Sequence, residues 1–293
     1  MKSINLNHQP VIIIGAPRSG TKMLRNIISS FEDFSTWPFD EINFIWRHGH
    51  KISESDEFPV STLDEGKANY VRRQFNKVSL INNSNYVVEK TCANSLRVEY
   101  VRQIFPEAKF IFINRDKLDA IESISRNWEQ GHSKKNFLKK IIWYNTYDLF
   151  YELSSITLKL ISRYFQQKKY YIYWGPKIRN YAAISLMNNS LQIAANQWHK
   201  CESIARLSLT NIEDDKKIVI EYEKLVSDPV QYIKIISKFL NVKPSNNKVD
   251  EIASSISKDN IGKAKKMLSK NQIEDLEQYI RELEIIFRTN DIK

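Results

Sequence analysis

The sequence predicts an α/β fold: a parallel β-sheet flanked by helices, with a helical insertion. Three observations carry that prediction. β-Branched or aromatic runs recur at residues 11–14, 109–114 and 217–221, with a fourth at 86–88, each of a length that suits strands buried on both faces. A helical pattern follows, and strand–helix alternation belongs to a parallel sheet with right-handed crossovers. No repeat, low-complexity stretch or Pro/Gly/Ser linker divides the 293 residues, so they read as one domain with insertions.

The elements follow in order. The first strand leads into a glycine-bounded loop and a helix over 20–29. After the 86–88 strand, Asn94 has the character of an N-cap for a helix over 95–104 that stops before Pro106. The 109–114 strand passes through Asp116, another N-cap, into a helix over 117–126. Residues 137–174 hold 12 of the 34 aromatic side chains in 38 positions, where even spreading gives about four, so an insertion or second helical layer is expected at about 134–182. The 217–221 strand precedes Asp228-Pro229 and a helix over 230–240, proline suiting a first helical turn. Further helices are expected over 248–293.

Composition narrows the class. With 42% hydrophobic and 27% charged residues, the chain is of ordinary globular character rather than disordered or collagenous. Cys92 and Cys201 form no CxxC pair, which excludes a disulfide framework and a zinc knuckle. The apolar run at 11–14 is too short for a signal peptide or a membrane span, and a cytoplasmic protein is expected. The net charge of +10 fits an anionic partner, and fits equally a chain that is simply rich in lysine.

Only 7 glycines occur in the chain, and two of them, Gly15 and Gly20, bound the loop Gly15-Ala16-Pro17-Arg18-Ser19-Gly20 after the first strand. Glycines there let the backbone approach an anion, and the first amides of the following helix point at it with the positive end of the dipole behind them. Arg18, Thr21 and Lys22 add donors. A nucleotide-triphosphate loop of the GxxxxGK[ST] type needs lysine directly after the second glycine and then a hydroxyl for Mg²⁺, whereas Gly20 is followed by Thr21, Lys22 and Met23. No metal is therefore expected, and a transfer that needs no Mg²⁺ fits better than ATP hydrolysis.

The segment Gly15–Thr21 resembles the 5′-phosphosulfate loop of sulfotransferases, which use 3′-phosphoadenosine 5′-phosphosulfate (PAPS). The resemblance runs from Val11 to about Leu268 and implies the P-loop-like sulfotransferase fold. It implies that Gly15, Pro17, Arg18, Ser19, Gly20, Thr21, Lys22 and Met23 line the donor, with Lys22 standing where the family often has Thr or Ser. It further implies that Arg115, at the end of a strand, and Ser123, eight residues on, bind the 3′-phosphate. On the residues alone, an arginine paired with Asp116 or Asp119 is the plainer alternative.

Tyr222 in Tyr222-Glu223-Lys224-Leu225 resembles the tyrosine that lies against the adenine; a core tyrosine is the competing reading. Gly262, Lys263 and Lys265 resemble a late basic segment that closes over PAPS, although the aromatic usual near Ala264 is absent, and a solvated lysine face is the alternative. Glu89-Lys90-Thr91-Cys92-Ala93-Asn94 resembles a Glu-Lys-Thr-Pro-x-Asn motif with Cys92 in place of proline, which puts Lys90 on the transferring group or the acceptor. Residues 173–177 and Asn196-Gln197-Trp198 resemble segments of bacterial members.

Sulfuryl transfer to a hydroxyl requires a general base beside the loop. Asp40 and Glu41 are the carboxylates on offer, and Glu41-Ile42-Asn43-Phe44 resembles a segment of the carbohydrate branch, which, like the protein-tyrosine branch, places a glutamate shortly after the first helix. Glu41 is the expected base, with His48 and His50 as alternatives. The aromatic, basic stretch 137–174 suits sugar rings, anionic groups or a membrane surface, and equally suits helices packed on the sheet. A carbohydrate or another small or lipid-linked hydroxyl compound is the expected acceptor. A P-loop kinase and a nucleic-acid-binding module are the rival functions.

Overall fold

The computed structural model describes residues 4–50, 55–130, 143, 174–181, 183–184 and 189–290. Of the expected insertion at 134–182, Trp143 and the stretch from Trp174 fall within these; most of the remainder lies outside the described residues. Five strands form one sheet, all parallel: β1 (Gln9–Ile14), β2 (Phe34–Ser35), β3 (Tyr86–Lys90), β4 (Lys109–Asn114) and β5 (Lys217–Glu221), in the order β2-β3-β1-β4-β5. β2 is two residues long, too short to show a period.

Alternate residues of β1 enter opposite layers, as strand geometry demands. Val11 and Ile13 pack with Val88, Ile111, Ile113 and Ile220 under α1 (Thr21–Ile28), while Ile12 and Ile14 pack with Val87, Phe110 and Phe112 under α3 (Glu65–Asn82). The short α2 (Asn43–Trp46) lies in the second layer. A third apolar cluster joins α5 (Lys117–Gln130), α6 (Ser190–Leu209) and the C-terminal helices to Ala16 of the loop.

Helix ends follow local chemistry in most places. Asp116 Oδ1 accepts from the Asp119 amide at the start of α5 (3.0 Å). Asp228 caps Gln231 ahead of the helix Pro229–Phe239. Asn94 departs from its expected role. Residues Cys92–Leu96 form a 3₁₀ turn, and α4 (Val98–Ile104) begins after Arg97 with no side-chain cap. The Asn94 side chain instead donates to Glu89 Oε2 (2.8 Å) and accepts from Arg97 Nε (2.9 Å), so a buried network takes the group that local capping would use. Three short or medium helices follow β5 directly (Tyr222–Ser227, Pro229–Phe239 and Asn246–Ser254), and Ala264–Met267 and Lys270–Asn290 close the described chain.

This topology fixes where a ligand sits. From β1 the chain turns to β2 and β3 on one side, then crosses to β4 on the other. Open parallel sheets bind ligands at the carboxyl ends of the strands beside such a reversal. Gly15, Lys90 and Arg115 stand at or just beyond the ends of β1, β3 and β4.

Candidate active site

The loop after β1 is shaped by two left-handed residues, Arg18 (φ 67°) and Gly20 (φ 92°). The Ser19 amide bonds back to the Ala16 carbonyl (3.2 Å), and the Gly15 amide donates to Ser95 Oγ (3.1 Å). A β-carbon on Gly15 would meet the Ile113 carbonyl at 2.7 Å, so the strand-to-loop transition has no room for a side chain. The Ser19 hydroxyl is buried with no hydrogen-bond partner, and Lys22 is exposed on the first turn of α1. Met23 packs half-buried against the α1 layer, and Pro17 is buried.

The expected 3′-phosphate residues converge on this loop. Arg18 Nε donates to Ser123 Oγ at 2.9 Å, and Arg115 Nη1 donates to the Arg18 carbonyl at 2.9 Å. Arg115 Nη2 donates to the Asn260 carbonyl and stands 3.8 Å from Asp119 Oδ2. Its Nε is buried and unpartnered. Burial first, and then the charges of Arg115 and Arg126, hold the Arg18 guanidinium below its ordinary range. Two guanidinium groups, Arg18 and Arg115, thus meet at one cradle, with Arg126 ion-paired to Glu122 nearby (2.9 Å), and an anion with several oxygens relieves their repulsion. The orphaned Ser19 hydroxyl and Arg115 Nε supply donors, and the geometry fits a polyanionic nucleotide.

The late segment reaches the site through Asp119, which the sequence offers only as an ion-pair partner for Arg115. Asp119, 2% exposed, accepts from the Gly262 amide (Oδ2, 2.6 Å) and the Ala264 amide (Oδ1, 2.7 Å). Gly262 is thereby brought beside Arg115. Lys263 Nζ turns to Asn260 Oδ1 (3.2 Å) within its own loop, and Lys265 is exposed; neither is drawn onto Arg18 or Arg115. Tyr222 is 4% exposed, with Gly20 against its ring edge and the Arg115 guanidinium 4.7 Å from its centroid. The ring packs in the core layer under α1 and forms a wall of the loop.

Asp40, Glu41 and Lys90 form a second polar cluster. Lys90, 4% exposed, places Nζ 2.9 Å from Glu41 Oε1 and 3.3 Å from Asp40 Oδ1. The Cys92 amide donates to the same Glu41 oxygen at 3.4 Å, and Thr21 Oγ1 stands 3.6 Å from Cys92 Sγ. Thr21, Cys92 and Glu41 therefore form a continuous line from the loop to the carboxylate. Burial opposes charge on Lys90, but Glu41 and Asp40 outweigh it and raise the ammonium above the ordinary lysine range. Burial likewise opposes ionisation of Asp40, yet Lys90, Arg25 and Lys22 together hold its carboxyl below the usual range. Burial and then Glu41 push the Cys92 thiol up, away from thiolate chemistry.

His48 stacks on Tyr70 (3.7 Å between ring centres) and His50 on Phe58 (3.8 Å), with His50 Nε2 3.2 Å from Tyr100 Oη. Their contacts are with the α3–α4 layer. Trp143, from the aromatic stretch, packs 6.3 Å from Trp37 and 6.2 Å from Phe39, on the corner that carries Asp40 and Glu41. Gln197 Nε2 donates to the carbonyls of Trp174 (2.9 Å) and Pro176 (2.8 Å), which joins the 174–177 and 196–198 segments.

The model of the sulfotransferase family matches residues 10–175. Among solved structures, a sulfotransferase of Mycobacterium avium aligns with a TM-score of 0.53 at 11% identity, over 95% of this chain and 76% of that one. A sulfotransferase of Mycobacterium tuberculosis gives 0.52 at 10% identity, over 94% and 77%. A mouse sulfotransferase solved in complex with PAP gives 0.50 at 14% identity, over 94% and 84%. At such identities the likeness is one of fold. No curated protein matches the chain.

Proposed function

The chain belongs to the sulfotransferase family, and on that premise we propose that it moves a sulfuryl group from PAPS to a hydroxyl of a carbohydrate or another small or lipid-linked compound, with Glu41 as general base. The observation that carries this reading is that two clusters meet the loop after β1: Arg18, Ser123 and Arg115 through the Arg18 side chain and carbonyl, and Glu41 with Lys90 through Cys92 and Thr21. Family membership sets aside the kinase and nucleic-acid alternatives.

When bound, PAPS supplies the sulfuryl group and departs as 3′-phosphoadenosine 5′-phosphate (PAP). The chain's part is positional and electrostatic. The amides that open α1, with Ser19, Thr21 and Arg18, cradle the 5′ end; Arg115, Ser123 and the Gly262 segment take the 3′ end. Lys90, kept charged by its carboxylate neighbours, neutralises negative charge where the bond to sulfur breaks. Glu41 Oε1 accepts the hydroxyl proton of the acceptor as its oxygen attacks.

The test has two arms. Thermal stabilisation by PAP without metal is compared with stabilisation by Mg²⁺-ATP and by single-stranded DNA; a shift with PAP alone is expected. Glu41→Gln is then assayed with ³⁵S-labelled PAPS against glycans, lipid-linked sugars and small alcohols and phenols. Loss of transfer with PAP binding kept supports the base assignment, and near-normal transfer on an accepted substrate overturns it.

A further inference from the structure

The stretch between β2 and α2, residues 36–42, has no regular secondary structure, yet it carries Glu41. Its backbone therefore needs partners from outside. Ile42 finds one in Thr91 Oγ1 (3.1 Å). The largest share comes from Arg25, on α1 one turn beyond Thr21. Arg25 Nη1 donates to the carbonyls of Phe39 (3.3 Å) and Asp40 (3.0 Å) and to Asp40 Oδ1 (3.1 Å). Its Nε and Nη2 are braced on Asn26 Oδ1 (3.4 and 3.0 Å). The side chain is 11% exposed, and a planar fork held at both ends has little freedom left.

Two consequences follow from this placement. Arg25 and the anion loop sit on one short rigid helix, so the corner bearing Glu41 is referenced to the same element that holds the donor. Asp40, fixed by Arg25, also shares the Lys90 ammonium with Glu41, so the charge around the base is set by Arg25, Asp40, Lys90 and the nearby Lys22 and Cys92 together.

We propose that Arg25 is the positioning residue of this sulfotransferase's base: by bonding the Phe39–Asp40 backbone and the Asp40 carboxylate to helix α1, it sets where Glu41 stands relative to the donor loop. The proposal rests on the reading of Glu41 as base, and its test separates the two. Arg25→Ala, Arg25→Lys and Glu41→Gln are compared with the unaltered protein in three measurements. Affinity for PAP, from its thermal shift, is expected to stay within about twofold in each variant, because none of the three replaces a group of the anion cradle. Hydrogen exchange of the amides at 39–46 is expected to quicken in Arg25→Ala and to stay unchanged in Glu41→Gln.

The third measurement is slow release of sulfate from PAPS with water as acceptor. The sulfur–oxygen bond to the phosphate breaks, a bond from water oxygen to sulfur forms, the water proton passes to Glu41, and PAP leaves. Arg25→Ala is expected to slow it at least about tenfold and to move the acidic limb of its pH profile upward, since the cation paired with Asp40 has gone and Asp40 then draws more of the Lys90 ammonium away from Glu41. Arg25→Lys is expected to recover part of the rate, because an ammonium reaches Asp40 but not both carbonyls. If Arg25→Ala does not fold, Arg25→Lys carries the exchange measurement, with quickening at 39–42 expected. Unchanged exchange at 39–46 with an unchanged pH profile overturns the proposal, as does loss of PAP binding in step with rate, which marks Arg25 as a prop of α1 alone. Undiminished turnover in Glu41→Gln overturns the base reading instead, whatever Arg25 does.

Discussion

The ring of Tyr222 occupies the place where a side chain on Gly20 would begin: a β-carbon built there lies 2.5 Å from the ring. Gly20 also has φ 92°, so two independent restrictions fall on one residue. Gly20→Ala combines left-handed strain with an overlap against a ring that Arg115 covers. The expected cost is about 1–3 kcal/mol of stability, and the amides that open α1 lose their alignment. Chemical denaturation measures the first effect and PAP titration the second; stability and affinity should both fall.

Arg115 holds the loop carbonyl of Arg18 and the Asn260 carbonyl at once. Arg115→Ala removes charge-assisted bonds of about 1.5–3 kcal/mol, so PAP affinity should weaken by roughly 10–100-fold. Because Arg18 and Arg115 both face one cradle, affinity in the unaltered protein should fall with added salt. In Arg115→Ala that salt slope should be shallower. Isothermal titration at two or more ionic strengths checks both statements.

Asp119 anchors the 260–267 segment through two amides, 2.6 and 2.7 Å away. Asn in its place keeps one acceptor and turns an NH₂ toward a backbone N–H, leaving a buried donor without a partner at about 1–3 kcal/mol. Asp119→Asn should therefore loosen the amides of 260–267, read as faster hydrogen exchange there. It should also weaken PAP binding through Gly262 and Arg115, while exchange in β1 and β3 stays as before.

How legible this site is in the sequence depends on how far apart its partners lie along the chain. Gly15 to Thr21 is legible because a strand, a glycine-bounded turn and a helix start are adjacent, and glycine is rare elsewhere. Arg115 and Ser123 are legible as a strand end and a position eight residues on in the helix that follows. Arg25 and the anchoring role of Asp119, foreseen only as a pair for Arg115, are not, since an arginine mid-helix or an aspartate in a first turn has an ordinary local explanation. Their partners lie 15 and up to 145 residues away. Asn94 shows the reverse case: a residue type that suits a helix cap is claimed by Glu89 and Arg97, because a buried carboxyl needs a donor and the Asn94 amide supplies it. The two-residue β2 and the left-handed turn at Arg18 have no period or residue type to announce them.

Glu89 itself gives the fold a pH dependence. It is fully buried beside Lys90, and burial pushes its carboxyl from 4.5 up to about 7, against the pull of the nearby Thr91 hydroxyl and Trp46 indole and the charge of Arg97. Between those values the folded chain keeps a proton that the unfolded chain gives up. Stability from this group is therefore complete below the unfolded value and is lost as pH rises through about 7. Glu89→Gln removes the titration while its amide oxygen can still accept from Asn94 Nδ2. The stability of Glu89→Gln relative to the unaltered protein should rise between pH 5 and pH 8 by on the order of 2 kcal/mol. Urea denaturation at both pH values measures it. A difference that stays constant, or falls, across that range would show that Glu89 is ionised in the folded chain, with Arg97 rather than a proton balancing it.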